Sequence, residues 1–292
     1  MQQGVVIKAY KGFNYVQIGA TVYPCSARKK LKQSGQKILV GDKVVCQILP
    51  NTEEGVIEAI LPRKNELLRP RIANVEQILI TMAVKETTVN WLLLDRLLVQ
   101  AGVNQIPAVI CFNKIDLLTG EGFSVAEPYQ AAGYPVFFTS AETGTGLAEL
   151  KQVLVGKITV LAGLSGVGKS SLLNVLVPGL HLPTSAVSAK LQKGRHTTRH
   201  IELFALDSNS WVADSPGFSM LELPLVIKPE QLGSYYPDLL AWADKCRFDS
   251  CLHEAEPDCA VKAAVASGQL AAGRYERYLS LLQELRDRKI KY

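Results

Sequence analysis

Eight residues, Gly163-Leu164-Ser165-Gly166-Val167-Gly168-Lys169-Ser170, have the spacing G-x-x-x-x-G-K-S, in which backbone N–H groups and a helix start surround the phosphates of a nucleotide. Lys169 is the cation that would reach the β- and γ-phosphates and take part in catalysis. The Ser170 hydroxyl is a ligand for Mg²⁺, and Ser171 follows in the same helical turn. Such a loop does not choose a base. Asn113-Lys114-Ile115-Asp116 would: the Asp116 carboxylate can accept from guanine N1–H and the 2-amino group together, a pair that adenine lacks. Asn113 would bond the base edge and the loop, with the Lys114 stem packed on the ring. Ser140-Ala141-Glu142 has the form of a short loop that completes a guanine pocket through its backbone.

The γ-phosphate side has its own candidates. Asp214-Ser215-Pro216-Gly217 reads D-x-P-G, where the acid would hold Mg²⁺ through water and the Gly217 N–H would sense the γ-phosphate. Thr197 and Thr198 both offer a hydroxyl that could close over Mg²⁺ in the triphosphate state; Thr198 is favoured and the choice stays open. Ras-like enzymes orient the attacking water with a glutamine after this motif, but here Phe218 follows, which cannot hydrogen-bond water. His196 is the catalytic candidate in its place, with Arg195 and Arg199 able to add charge; loop packing or RNA contact is the other role open to His196.

Cys246, Cys251, His253 and Cys259 supply three thiolates and one imidazole over fourteen residues, a closed Cys₃His set suited to one structural Zn²⁺. Asp249, Ser250, Glu254 and Pro257 between them are loop formers, so a metal would staple an irregular segment. Cys25, Cys46 and Cys111 fall in apolar strand-like runs and read as buried thiols.

These groups need elements to position them. Apolar runs at 75–84, 106–112, 136–139 and 157–162 read as strands, alternating with helices at 90–101, 147–155 and 171–176; a hairpin follows at 200–213. That alternation predicts a mainly parallel sheet with helices on both faces and ligands at the carboxyl ends of the strands. Before it, five short strands at 5–10, 15–18, 21–23, 43–48 and 55–60 predict a small β-barrel, with a basic loop at 27–32 and a linker at 61–65. Phe13, Tyr15 and Tyr23 are stacking candidates for nucleic acid in such a barrel, although a core or strand-pairing role is favoured for each. Beyond 229, helices at 231–242, 259–268 and 274–291 flank the cysteines.

The 292 residues, 48% hydrophobic and 20% charged, suit a globular multidomain protein. No apolar run of 18 residues occurs and the N-terminus lacks the pattern of a signal peptide, so no membrane association and a cytoplasmic location are expected. Of a net charge of +5, the first 66 residues alone supply ten Lys/Arg against five acids; residues 274–292 carry six basic against three acidic. Both ends therefore favour a polyanionic partner, nucleic acid over membrane.

In conventional small GTPases the phosphate loop comes first and N-K-x-D near the end. Here Asn113 to Asp116 and Ser140 to Glu142 precede Gly163, which is a circular permutation of the same motifs. With the basic barrel, Gly194-Arg195-His196-Thr197-Thr198, Asp214-Ser215-Pro216-Gly217-Phe218 and the Cys₃His set, the whole chain resembles the bacterial ribosome small-subunit-dependent GTPase A family. The resemblance implies an α/β multidomain protein: an oligonucleotide-binding (OB-type) barrel at 1–64, a circularly permuted P-loop GTPase domain at 65–224 and a helical zinc-binding domain at 225–292. It also implies GTP hydrolysis stimulated by the 30S subunit, late small-subunit assembly and contact with 16S rRNA. GTP and GDP as ligands, Zn²⁺ and Mg²⁺ as metals, a monomer, and His196 as the catalytic substitute for glutamine complete the expectation. The alternative is a nucleotide-regulated RNA-binding protein acting on another ribosomal particle.

Overall fold

The computed structural model describes residues 1–10, 12–33, 35–68, 70–84, 89–118, 124, 126–184, 201–214 and 223–288. Its first unit is a closed barrel in the order β1-β2-β3-β5-β4, formed by β1 (Gln2–Tyr10), β2 (Phe13–Ile18), β3 (Thr21–Ala27), β4 (Lys43–Ile48) and β5 (Gly55–Ile60). Period-two alternation sends Val6, Val16, Cys25, Val44, Cys46 and Ile57 inward, where each is fully buried. The basic segment expected as a loop instead winds into a short helix, α1 (Lys29–Gln33).

The stretch at 61–65 carries no regular element, yet it is anchored. Arg63 donates to both oxygens of the fully buried Asp42 at 2.7 and 2.9 Å. A small hairpin follows, β6 (Glu66–Leu68) with β7 (Arg71–Ala73), too short to leave a periodic signal.

Six strands then form one sheet: β8 (Gln77–Ala83), β9 (Ala108–Asn113), β10 (Val136–Thr139), β11 (Ile158–Ala162), β12 (Leu203–Asp207) and β13 (Ser210–Asp214). Their order is β10-β9-β8-β11-β13-β12, parallel throughout except for the edge strand β12. Helix α2 (Trp91–Val103) and the short α3 (Glu127–Ala131) belong to the β8–β9–β10 crossovers. Helices α4 (Leu147–Leu154) and α5 (Lys169–Leu176) pack with Leu79, Val109, Leu161 and Val212 on the opposite face from α2. The Asn90 side chain accepts from the Leu93 N–H at 2.9 Å and caps α2.

Helix α2 is buried from Leu93 to Ala101, Asp95, Arg96 and Gln100 included, because it is covered on two sides. Leu93, Leu94, Leu97 and Leu98 face the sheet, and Val99 lies in the core of the C-terminal unit. That unit holds a 3-10 stretch (Pro229–Tyr235), α6 (Pro237–Ala243), α7 (Ala260–Ala266) and α8 (Ala272–Asp287). The single helix expected at 231–242 is divided at Pro237, whose ring and missing N–H suit the first turn of a helix and not its interior. Among the described residues, the barrel packs Val5 and Ile7 into the core of the sheet and meets it in polar contacts as well. The Trp211 indole donates to Gln17 Oε1 at 2.8 Å, and Lys8 pairs with Glu202 at 2.9 Å.

Candidate nucleotide site and metal centre

β11 delivers the chain into the glycine loop at the carboxyl end of the sheet. Gly163 sits at φ 133°, where a Cβ would stand 2.2 Å from the Thr81 carbonyl oxygen. Gly168 sits at φ 98°, and a Cβ there would stand 2.2 Å from Asn113 Nδ2. Both conformations belong to glycine, and the space is already occupied by strands β8 and β9. Helix α5 starts at Lys169, with Ser170 and Ser171 in its first turn. Lys169 Nζ curls back to donate to the Gly163 and Leu164 carbonyls, each at 2.8 Å. Burial pulls its ammonium below the usual lysine range, and the charge of Asp214, at the end of β13, opposes that shift.

On the other flank, Asn113 ends β9 and is almost wholly buried. Its Nδ2 donates to the Val167 carbonyl at 3.0 Å, and its Oδ1 accepts from Thr139 Oγ1 at 3.2 Å. Cys111 Sγ lies 3.2 Å behind, against the same hydroxyl. Lys114 takes the left-handed conformation at φ 68° and donates to the Gly166 carbonyl at 2.7 Å. Asp116 lies in a 3-10 turn (Ile115–Leu117), and its Oδ1 accepts from Ser140 Oγ at 2.5 Å. The Ser140 loop is closed by bonds from Gly144 N to Ser140 O at 2.9 Å and from Ser140 N to Thr145 O at 3.0 Å, while Ala141 packs toward α4 and α5.

The structure thus brings Asn113, Lys114, Asp116 and Ser140 onto the flank of the loop 163–170, with Ile115 and Ala141 beside them and Asp214 across it. His196, Thr197, Thr198, Arg195, Arg199, Gly217 and Phe218 lie outside the described residues. The sequence marks Thr139 as a strand residue and Cys111 as a buried thiol, and gives neither a place at the nucleotide site. The Thr139 hydroxyl reaches Asn113, and the Cys111 thiol reaches that hydroxyl, because β10 pairs with β9 in the register Thr139↔Asn113.

In the C-terminal unit, the ligand atoms of Cys246, Cys251, His253 and Cys259 all lie within 4.8 Å of one another. Cys246 Sγ and Cys259 Sγ are each 3.5 Å from His253 Nδ1 and 3.9 Å from each other. His253 is held at φ 60°. Burial keeps its imidazole below the usual histidine range and favours the neutral form that can ligate a metal; Glu256 opposes this weakly. Tyr275 and Tyr278 donate to the carbonyls of His253 and Leu252 at 2.6 and 2.8 Å, and Glu256 accepts from the N–H groups of Leu252 and Glu254 at 2.8 and 2.9 Å. The segment around His253 is therefore tied down, and the four side chains can hold a metal ion.

The RsgA GTPase family matches residues 60–224, and the RsgA N-terminal domain matches residues 3–57. This chain belongs to the RsgA family. A Carboxydothermus hydrogenoformans relative, named small ribosomal subunit biogenesis GTPase RsgA, is 46% identical over 283 residues, 97% of each chain. The relative of the same name from Geobacillus kaustophilus is 43% identical over the full length of both. Among solved structures, YloQ, a circularly permuted GTPase, superposes with a TM-score of 0.82 at 38% identity, covering 100% of this chain and 97% of that one. YjeQ from Thermotoga maritima gives a TM-score of 0.80 at 37% identity over 99% of each chain.

As an RsgA-family GTPase, the protein hydrolyses GTP to GDP and phosphate. Its permutation is visible in the sheet: β8, β9 and β10 precede the phosphate-loop strand β11 in the chain, yet lie together on one side of it, with β13 and β12 on the other. No helix among the described residues is long and apolar enough to cross a membrane.

Proposed function

We propose that this GTPase acts on the small ribosomal subunit as a late assembly factor, with 30S particles stimulating its hydrolysis and the barrel contacting 16S rRNA. The observation that carries the enzymatic part is the convergence of Asn113, Asp116 and Ser140 on the carbonyl side of the loop 163–170. Asp116 reads guanine N1–H and the 2-amino group, Asn113 locks the base loop to Val167, the Lys114 stem covers the ring, and the backbone of Ser140 and Ala141 closes the pocket. The backbone of Gly163 to Ser170, together with Ser171, cradles the phosphates. Lys169 exchanges the Gly163 and Leu164 carbonyls for the β- and γ-phosphate oxygens.

Ser170, Thr198 and Asp214 would hold Mg²⁺, which neutralises charge building on the phosphate oxygens. Gly217 senses the γ-phosphate, and His196 orients the attacking water where Phe218 cannot. Cys246, Cys251, His253 and Cys259 hold one structural Zn²⁺. A tetrahedral zinc with bonds of about 2.3 Å to sulfur and about 2.0–2.1 Å to nitrogen sets S···S at about 3.8 Å and S···N at about 3.6 Å; the Cys246–Cys259 and thiol–His253 distances of 3.9 and 3.5 Å fit these, with Cys251 inside the same 4.8 Å cluster. Domains at 1–64, 65–224 and 225–292, a monomer and a cytoplasmic location complete the reading.

For RNA contact, the basic N-terminal segment and the exposed rings of Tyr10 and Phe13 offer charge and stacking faces. Relatives named small ribosomal subunit biogenesis GTPase support the 30S particle as the target. The test is GTP turnover by the full chain alone, with isolated 30S particles and with isolated 50S particles. Stimulation by 30S alone is expected; equal stimulation by 50S, or none by either, would overturn the proposal.

A further inference from the structure

Phe112 and Phe138 immediately precede Asn113 and Thr139 on adjacent strands, and their rings stack at 5.5 Å and 24°. Trp91, the first residue of α2, lies 5.8 Å from Phe112 on one side and 5.8 Å from Tyr129 of α3 on the other. The buried Tyr129 hydroxyl donates to Asp95 Oδ1 at 2.8 Å. Asp95, with no exposed surface, also accepts from Arg274 Nη1 at 2.5 Å and from Arg277 Nε at 2.7 Å. Both arginines belong to α8, and their guanidinium groups lie 4.9 Å from the Tyr129 ring and 6.0 Å from the Trp91 ring.

A charge cluster and a ring stack therefore form one packed body. It runs from α8 to the two residues behind the base-side loops. The same helix carries Tyr275 and Tyr278, which hold the carbonyls of Leu252 and His253 in the metal loop. Close-packed interiors pass displacements on instead of absorbing them. A carboxylate with three directed donors fixes where Tyr129 and Arg277 stand, and through their ring contacts it fixes Trp91. A shift of α8 has no slack before Phe112 and Phe138.

We propose that Asp95, held by Arg274 and Arg277, is a positioning residue for the guanine-reading loops, so that the metal-bearing unit sets the rate of GDP release. This rests on the guanine-site reading above. It places the control of α8 on the base side of the nucleotide, whereas chain connectivity alone points to the γ-phosphate side.

Two variants test it in the full, metal-loaded chain. Arg277→Met removes one charged donor at a partly exposed position, and Tyr129→Phe removes one hydroxyl while keeping the ring stack. Dissociation of N-methylanthraniloyl-GDP is followed by stopped flow. Both variants are expected to release it roughly 2- to 30-fold faster, with kcat at saturating GTP unchanged. Arg277→Lys is expected to recover part of the loss, and Arg277→Met combined with Phe138→Leu to be non-additive. An unchanged release rate with a lowered melting temperature, additive effects in the cycle, or a fall of kcat in step with the faster release would each overturn the inference. Asp116→Asn separates the two readings. If wild type and Asp116→Asn bind GDP alike, the guanine-site reading fails; Asp116-dependent binding with unchanged release in both variants sinks the positioning role alone.

Discussion

Asn113 Nδ2 donates to the Val167 carbonyl across 3.0 Å, joining the end of β9 to a loop that begins fifty residues later in the chain. With the Lys114 Nζ bond to the Gly166 carbonyl at 2.7 Å, this bond stitches the base-reading half of the site to the phosphate-binding half, whose order in the chain the permutation has reversed. The donor has little freedom, because Thr139 Oγ1 donates to Asn113 Oδ1 and so fixes which end of the amide faces the loop.

Asn113→Ala removes both bonds and leaves the Thr139 hydroxyl without this acceptor in a fully buried place. An unsatisfied buried group costs about 1–3 kcal/mol. That cost falls on stability; GDP affinity measured by fluorescence titration is expected to fall by about 5- to 150-fold, the equivalent of about 1–3 kcal/mol, because the Asn113 bond to the base edge and its hold on the Val167 carbonyl are both lost. Thr139→Val is expected to show a smaller loss in the same direction and Thr139→Ser almost none. Wild-type affinity in Asn113→Ala would mean that the bond to Val167 does not organise the site.

At Gly168, backbone and space give the same answer. The residue sits at φ 98° with Asn113 Nδ2 2.2 Å from where a Cβ would lie, so Gly168→Ala must both strain the loop and push Asn113 aside. A displacement of about 1 Å can cost about 100-fold in rate, so kcat/KM for GTP is expected to fall by at least about that factor. Gly166, at φ 86° with open space around it, is a built-in control. Gly166→Ala strains the backbone without a clash and should lose less.

The motif residues were legible because their chemistry fixes both type and spacing: the phosphate loop, Asn113 to Asp116, and the Cys₃His set all stand where their patterns put them in the chain. The five barrel strands and the sheet strands were legible from periodicity. The break at Pro237 was visible as a residue but outweighed by the helical spacing around it. The β6–β7 hairpin, with three-residue strands, leaves no period to detect. Thr139 and Cys111 depend on the register of β10 against β9, and Asp95 with Arg274 on a contact between residues 179 apart. Neither relationship has a local signature. The leucine-rich face of α2 was readable, but only the fold reveals that Val99 on its other side belongs to the C-terminal core.

Glu256 should govern how firmly the metal loop holds its ion. Its carboxylate accepts from the N–H groups of Leu252 and Glu254 on either side of His253. Burial pushes its pKa up, but these and neighbouring N–H donors outweigh burial and hold it below the usual glutamate range. A folded pKa below the unfolded value of about 4.3 means that Glu256 contributes stability above that pH and loses it as pH falls through the folded value. Glu256→Gln should therefore flatten the acid limb of the stability curve below about pH 5. Outer partners of metal ligands typically matter by about 10- to 100-fold in affinity, so Glu256→Ala is expected to lose the proposed Zn²⁺ to a chromogenic chelator at correspondingly lower competitor concentration. Retention equal to wild type would separate Glu256 from the metal loop.

Arg274 tests how the C-terminal unit is fastened to the GTPase domain. Only 1% of its side chain is exposed; it donates to Asp95 at 2.5 Å and twice to Asp238 at 2.9 Å, bridging α2 and α6 from α8. Arg274→Met keeps much of the volume and leaves Asp238 without its cation, while Asp95 retains Arg277 and Tyr129. Removing one partner of a buried pair typically costs about 3–5 kcal/mol, because the remaining charge is left in low dielectric. Urea unfolding of Arg274→Met should show a loss of that order for the transition that includes the C-terminal helices. Adding Asp238→Asn should recover part of it by removing the stranded charge, although neither change restores a bond. That recovery distinguishes an uncompensated carboxylate from lost packing. A double variant that is no more stable than Arg274→Met would assign the loss to the stems and rings around Arg274, including its 4.7 Å stacking on Tyr236, and not to charge.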